Sequence, residues 1–186
     1  MSDAHRKAKT PEQTRRALLD QAAALALRHG IAALTLPAVA EAAGVTKGAV
    51  FHHFGSKQGL TAALCADLIA RIDAEIDAAL AEDPGGPGCF TRAYVRCTFA
   101  PQGAASPWSA LSLSALTDPA LARIWADWVA ARLARHAATD QGIALEIVRL
   151  AVDGYWLAAL QGHAPKDRDG ICARLLAATS AERSAP

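Results

Sequence analysis

Apolar residues recur along most of this chain at intervals of three and four, the spacing of one face of an α-helix. The clearest stretch is residues 57–82, where Leu and Ile return mostly at every fourth position. Threonine, glycine and proline interrupt the pattern at points where helices begin and end. We therefore predict about nine helices and no sheet, over residues 11–29, 36–43, 47–54, 57–82, 89–100, 108–116, 119–138, 143–161 and 166–179.

The composition favours an all-α fold. The chain has 186 residues, of which 46 are alanine and only 5% are aromatic. Alanine is the best helix former, so a large β-sandwich or barrel is close to excluded. Residues 89–100 are ambiguous, because Phe90, Arg92, Tyr94 and Arg96 also alternate as in a strand. We predict a helix there, since no neighbouring segment offers a partner strand.

The small net charge of +1 conceals an uneven distribution. Residues 1–60 carry eight basic and four acidic side chains, whereas the remainder carries eleven basic and fourteen acidic ones. This asymmetry favours contact between the N-terminal part and a polyanion.

Metal, cofactor and catalytic signals are missing from the sequence. The four cysteines lie far apart, none in a CxxC pair, and no histidine lies at ligand spacing from them. There is no GxSxG, HExxH, P-loop or dinucleotide fingerprint. The polar N-terminus has no secretory h-region, and apolar runs are too short for a membrane span. We expect a non-enzymatic, cytoplasmic protein with free thiols, no metal, no cofactor and no membrane contact.

Residues 36–54 have the pattern of a helix-turn-helix. A short helix, a three-residue turn containing Gly44 and a second short helix follow one another. Val39, Ala40 and Val45 would face inward and fix the angle between the helices, and Val50 and Phe54 would anchor the second helix. The pattern alone does not separate a DNA-binding unit from an αα-corner in a helical enzyme.

The longer stretch Thr35 to Leu60 reads TLPAVAEAAGVTKGAVFHHFGSKQGL. It resembles the DNA-binding domain of the TetR family of bacterial regulators, whose pattern is A…AGVSKGTLYxHFxSKExL. The likeness covers about residues 10–65, with a weaker echo at residues 153–156. It implies a helix-turn-helix domain with a basic arm at residues 1–56. A helical ligand-binding and dimerisation domain would follow at residues 57–186.

The resemblance also implies DNA contacts along the second motif helix and its flanks. Phe51 occupies the family's usual tyrosine position, which removes a phosphate-binding hydroxyl and leaves a ring for a thymine methyl or sugar. For His53, partial burial against the first helix is an equal alternative. The implied DNA-binding residues are Thr35, Thr46, Lys47, Gly48, Ala49, Phe51, His52, His53 and Lys57.

One helix-turn-helix makes few contacts, so a homodimer on a pseudo-palindromic double-stranded operator is expected. Residues 143–160 are apolar nearly all round, which indicates two partners for this helix. A second subunit is one partner that fits; a fully buried helix in a monomer is the alternative. The predicted interface residues are Ile147, Leu150, Leu157, Ile171 and Leu175.

Aromatic residues concentrate in the second domain, where they line either a pocket or an ordinary core. Four nearby charged residues suit either ligand contacts or a solvated face: Arg92, Arg96, Arg123 and Asp127. The candidate pocket residues are Tyr94, Phe99, Trp108, Trp125, Trp128 and Trp156.

The resemblance thus implies a sequence-specific transcriptional regulator, most often a repressor in this family, released from its operator by a small apolar or aromatic ligand. Two other classes stay open. Phenylalanine at position 51, where the family usually has tyrosine, favours a helical small-molecule-binding protein whose helix-turn-helix is vestigial and no longer binds DNA. An all-α enzyme acting on an apolar substrate is disfavoured by the missing catalytic motifs.

Overall fold

The computed structural model of the protein describes residues 10–101, 106 and 109–180. Within these ranges the chain forms nine α-helices and a short 3₁₀ turn at Ile31–Ala33, without a β-strand, which confirms the predicted all-α class. The basic arm and Trp108 lie outside the described residues. The helices are α1 Pro11–His29, α2 Leu36–Ala43, α3 Lys47–Phe54, α4 Lys57–Ala81, α5 Cys89–Thr98, α6 Ser109–Ala115, α7 Pro119–Arg135, α8 Ile143–Leu160 and α9 Arg168–Ala178.

The chain divides into two compact units, Met1–Leu68 and Ile69–Pro186, and the division falls within α4. The domain boundary that we expect between residues 56 and 57, at the end of the helix-turn-helix motif, stays a prediction. None of the helices in the described ranges combines the length and hydrophobicity that a bilayer crossing requires.

Local side-chain caps set the starts of the helices in the first unit. Thr10 and Gln13 form a reciprocal capping box before α1. The hydroxyl oxygen of Thr35 accepts a hydrogen bond from the Ala38 amide, and that of Thr46 accepts one from the Ala49 amide. These bonds satisfy amides that have no partner inside the helix, so the helices begin where the sequence predicts.

The core of the first unit holds α2 between α1 and α3. Val39, Ala40 and Val50 are buried, as the helix-turn-helix pattern predicts, whereas Val45 and Phe54 are only half-buried. Gly44 ends α2 with φ of 66°, a left-handed conformation that a side chain would strain. Its position turns the chain sharply enough for α3 to begin three residues later.

The start of α5 is stabilised by a residue far away in sequence. Its N-cap is Gly88, which has no side chain, and the Asp140 carboxylate instead accepts hydrogen bonds from the amides of Phe90 and Thr91, at 3.1 and 2.7 Å. Burial alone would raise the pKa of Asp140, but these bonds and those from the Thr91 and Thr139 hydroxyls lower it below its ordinary value. An ionised carboxylate at a helix N-terminus is electrostatically favourable.

Two apolar clusters form the core of the second unit. The first joins Ile72 and Ile76 of α4 to Phe90, Ala93 and Trp128. The second contains Val95, Phe99, Val148 and Val152, with partly buried side chains of α9 packed against it. Helix α5 contributes to both clusters and contacts α8 and α9, so it is the central helix of this unit.

Two buried arginines hold the helices of this unit together. Arg92, which we expected in solvent or at a ligand, instead pairs with Asp83 through two hydrogen bonds of 2.6 and 2.9 Å. Its guanidinium holds the pKa of Asp83 below the usual range. Arg132 pairs with Asp73 and Asp77. Buried arginines are tolerated because every one of these charges has an ionic partner.

All six helices from α4 to α9 differ from prediction by one to three residues at one or both ends. The most informative is α7, which ends at Arg135 instead of Ala138. His136 is its C-cap, and the Thr139 and Asp140 amides both bond to the His136 carbonyl. This tight turn directs Asp140 to the start of α5.

Candidate nucleic-acid interface and ligand cavity

Helix α3 presents an exposed face at its N-terminal end. Lys47, Gly48, Phe51 and His52 are exposed, and 57% of Phe51 is accessible. Ala49 and His53 are half-buried, and Val50 holds the opposite face in the core. A large exposed aromatic ring beside a lysine, at the amide end of a helix, is suited to an anionic partner with apolar groups.

The two capping threonines keep a free donor. A threonine hydroxyl has two acceptor lone pairs and one proton. Thr35 and Thr46 each use a lone pair for the cap, at 3.2 Å. The proton of each hydroxyl therefore remains for a group outside the helix, such as a phosphate oxygen.

Two glycines near this face differ in what surrounds them. A Cβ atom on Gly48 would meet only the Thr46 hydroxyl, at 3.8 Å, which is ordinary contact. A Cβ atom on Gly59 would lie 2.0 Å from the Phe54 carbonyl oxygen. The packing of the chain itself thus requires glycine at 59 but not at 48.

Three basic side chains of the first unit have intramolecular partners. Arg16 forms ion pairs with Asp20 and Asp67, and the Arg15 guanidinium lies 5.5 Å from the centre of the Phe54 ring. Lys57 donates from Nζ to the Ala32 carbonyl at 2.7 Å. This last bond was missed because the 3₁₀ turn gives no clear sequence signal. Lys57 remains exposed and can exchange this carbonyl for a phosphate.

The second unit contains a cavity of about 370 Å³, which we call the aromatic cavity. Its wall is mostly apolar and comes from α5, α6, α7 and α8. Three predicted pocket residues line it: Tyr94, Trp125 and Trp156. The other lining residues are Thr98, Ser112, Ala115, Leu116, Ala122, Asp153, Gly154 and Leu157.

A neighbouring cavity of about 340 Å³ shares Tyr94 and Asp153 with the aromatic cavity. The Tyr94 hydroxyl donates to an Asp153 oxygen at 2.5 Å. Burial raises the pKa of Asp153, although the Tyr94 bond and nearby Arg149 oppose this effect. Burial, reinforced by Asp153, also raises the pKa of Tyr94 well above its ordinary value. The hydrogen-bonded pair thus places a carboxylate at both cavities.

Ser112 adds a second polar group to the aromatic cavity. It is buried, and its Oγ atom has no hydrogen-bond partner within the described part of the chain. Buried hydroxyls usually have one, so an unpartnered hydroxyl in a cavity wall is a ready contact for a ligand. Neither residue is predicted as a pocket residue: Ser112 follows no sequence motif, and Asp153 is noted only as the first residue of the weaker family likeness at residues 153–156.

The remaining predicted pocket residues lie elsewhere. Trp128 is buried and lines the neighbouring cavity, 5.1 Å from Trp125 between ring centres. Phe99 lies in the core, stacked on Tyr155 at 3.9 Å, and lines neither of these cavities. The exposed Arg123 and Asp127 lie on a solvated face of α7.

Helix α8 has two apolar sides, as predicted. Leu145, Val148 and Val152 are buried on one side. The other side exposes four large apolar side chains at positions i, i+4, i+7 and i+14. We call them the α8 stripe: Ile143, Ile147, Leu150 and Leu157. The predicted α9 residues Ile171 and Leu175 are half-buried against the second core cluster.

Sequence and structure comparisons identify relatives of both units. Residues 18–64 match the profile of bacterial regulatory proteins of the TetR family, and residues 88–180 match that of tetracyclin repressor-like C-terminal domains. The HTH-type transcriptional regulator TtgR of Pseudomonas putida is 38% identical over 82 residues. These residues are 44% of this chain and 39% of TtgR, so the chain spans about two fifths of that relative.

Two solved structures share the fold along most of their length. A transcriptional regulator from Rhodococcus sp. Rha1 has a TM-score of 0.67 and 24% identity, over 96% of this chain and 100% of that one. The multidrug binding protein EbrR complexed with ethidium has a TM-score of 0.62 and 25% identity, over 89% and 98% of the two chains. With profiles of both TetR-type domains matched in their expected order, this protein belongs to the TetR family of bacterial regulators.

Proposed function

We propose that the protein is a transcriptional repressor that binds a pseudo-palindromic operator as a homodimer and leaves it when a small aromatic ligand binds. It has no enzymatic role in this proposal. The observation that carries the proposal is the exposed face of α3, with its free amide end, Lys47 and Phe51, in a domain of the TetR type.

The α3 face suits the major groove of DNA. The first amides of a helix point outward and bind phosphate, and the Lys47 ammonium adds a positive charge beside them. Gly48 lets the helix end approach the DNA backbone closely. Phe51 supplies an apolar surface for a thymine methyl group, while His52 can donate to a phosphate or a base edge.

The α8 stripe is the proposed contact between subunits. Ile147 and Leu150 are 57% and 64% exposed, which is unusual for large apolar side chains in a row on one helix. Gly154 lies on the same stripe between Leu150 and Leu157, and a Cβ atom there would meet nothing within 4 Å. The packing within one chain therefore does not require glycine at position 154. Its lack of a side chain would instead allow a helix of the second subunit to approach closely.

The aromatic cavity is the proposed ligand site. Its volume of about 370 Å³ falls within the usual range for small-molecule pockets. Trp125, Trp156 and Tyr94 suit a flat aromatic molecule, and Asp153 suits a positive charge on it. Solved structures of EbrR contain ethidium and malachite green, which are ligands of this kind.

Release requires that the ligand favours a conformation with lower affinity for the operator. The test measures binding of the full chain to promoter DNA flanking its own gene, with and without malachite green. We expect the dye to quench tryptophan fluorescence and to weaken the DNA complex. By reciprocity, DNA should weaken dye binding by the same factor.

The control is Trp125→Ala, because a dye can also act on DNA directly. The complex of this variant with DNA should withstand dye concentrations that dissociate the wild-type complex. A dye that binds in the cavity without changing DNA affinity would refute the coupling. Dye binding by a protein with no specific DNA affinity would favour the vestigial helix-turn-helix, and turnover of the dye would favour an enzyme.

A further inference from the structure

Three side chains that bind metals in other proteins converge between α5 and α7. They are Cys89, the first residue of α5; His136, the C-cap of α7; and Asp140 in the following turn. One ligand atom from each lies within 4.8 Å of the others. The Cys89 Sγ atom is 3.7 Å from an Asp140 carboxylate oxygen. The sequence pattern predicts no metal site, because Cys89 lies 47 residues before His136 and no motif links them.

The His136 ring is held in place but incompletely bonded. It stacks on Phe90 with 5.2 Å between ring centres and an interplanar angle of 9°. Its Nε2 atom is buried and has no hydrogen-bond partner among the residues that the structure describes. Buried ring nitrogens normally have one, so this imidazole keeps unused bonding capacity.

The Asp140 carboxylate can release one lone pair for a cation. Its Oδ2 atom accepts from the Thr139 hydroxyl at 2.8 Å, and the same hydroxyl lies 3.2 Å from the His136 carbonyl. A hydroxyl has a single proton, so rotation toward the carbonyl frees one lone pair of Oδ2, and the other lone pair still accepts from the Phe90 amide. The amide bonds of Phe90 and Thr91 to Asp140 need not change, so α5 keeps its cap.

We propose that Cys89, His136 and Asp140 bind a divalent cation of the zinc class. A thiolate, an imidazole and a carboxylate are typical zinc ligands, whereas Mg²⁺ and Ca²⁺ prefer oxygen ligands alone. Cys89 loses its thiol proton to solvent when its sulfur binds the cation. The widest ligand separation must shorten on binding, and a water molecule completes a four-coordinate site.

The test uses Co²⁺ as a spectroscopic substitute for Zn²⁺, added to the reduced, chelator-treated full chain. We expect one ion per chain, a thiolate-to-cobalt charge-transfer band in the near ultraviolet, and loss of the band when Zn²⁺ is added. Cys89→Ser should abolish the band. His136→Gln should weaken Co²⁺ binding by at least roughly 10–100-fold. That is the usual loss when a residue that only hydrogen-bonds to a metal ligand is mutated, and His136 would be a ligand itself.

Matched controls use residues outside the cluster. Cys97→Ser and His163→Gln should keep the band and the affinity. The proposal is wrong if the wild-type protein gives no thiolate band, or if the band persists in Cys89→Ser. Should that variant not fold, X-ray absorption at the zinc edge of the wild-type protein decides instead. One sulfur neighbour supports the site, and a shell of only nitrogen and oxygen overturns it.

Discussion

At the scale of single residues, Gly48 and Gly59 differ in the reason for which glycine occurs there: packing within the chain explains Gly59 but does not explain Gly48. Both lie in helices, where glycine is about 0.5–1 kcal/mol less favourable than alanine. Gly59 has a structural reason, because a Cβ atom would overlap the Phe54 carbonyl. Gly48 has room for a Cβ atom. Its role in our proposal lies outside the chain, at the DNA backbone.

Gly48→Ala should therefore stabilise the protein by about 0.5–1 kcal/mol and at the same time weaken operator binding. Gly59→Ala is the matched variant and should destabilise by about 1–3 kcal/mol, the usual cost of overpacking. Urea unfolding and DNA titration of the three proteins measure both effects. Unchanged DNA affinity in Gly48→Ala would remove this residue from the proposed interface.

Asp153→Asn tests the polar end of the aromatic cavity. Loss of the charge should cost about 1.5–3 kcal/mol, or roughly tenfold to a hundredfold, in affinity for a cationic dye. A neutral aromatic compound of similar size should bind both proteins alike. Equal loss for both compounds would mean that Asp153 shapes the cavity without acting through its charge.

The raised pKa of Asp153 also predicts a pH dependence. Wild-type dye affinity should fall as the pH decreases through this pKa, which lies above the ordinary value of 3.8, and the asparagine variant should lack this change. A raised pKa means that the fold favours protonated Asp153, and this stabilising contribution is lost as the pH rises. Asp153→Asn should therefore be at least as stable as the wild type at neutral pH.

At the scale of elements, helix starts with nearby caps follow directly from the sequence. Thr10, Thr35 and Thr46 bond to amides within three residues, so a short window contains the whole cause. Helix α5 is the opposite case, because its cap comes from Asp140, about fifty residues later. This distance explains why residues 89–100 read equally as strand or helix. The same folding brings Cys89 to His136 and Tyr94 to Asp153, neither of which has a local signal.

The α8 stripe gives the prediction that belongs to this scale. Ile147→Glu should convert the dimer to monomers, because a charge would enter an apolar interface. Ile124→Glu on α7 is the control, since Ile124 is also exposed but lies outside the stripe. Sedimentation velocity of the three proteins separates the states. A dimer that survives Ile147→Glu at low concentration would exclude the stripe as the interface.

At the scale of the whole molecule, the structure changes the meaning of the charge asymmetry. Arg16, counted among the basic residues of the first 60, is paired with Asp67 just beyond them. Lys57 bonds a backbone carbonyl. The sequence count therefore overstates the charge available to DNA, and Lys47 at the start of α3 becomes the leading candidate for a direct contact.

The most direct test of DNA recognition measures the DNA affinity of the wild type and of Lys47→Ala over a series of salt concentrations. Each protein is titrated with promoter DNA that flanks the gene and with scrambled DNA of equal length. Lys166→Ala, an exposed lysine of the second unit, is the control. We predict specific binding by the wild type, unchanged in Lys166→Ala. In Lys47→Ala it should be weaker, with a salt slope reduced by about one if Lys47 neutralises one phosphate. Equal affinity of the wild type for both DNAs at every salt concentration would contradict the proposed function.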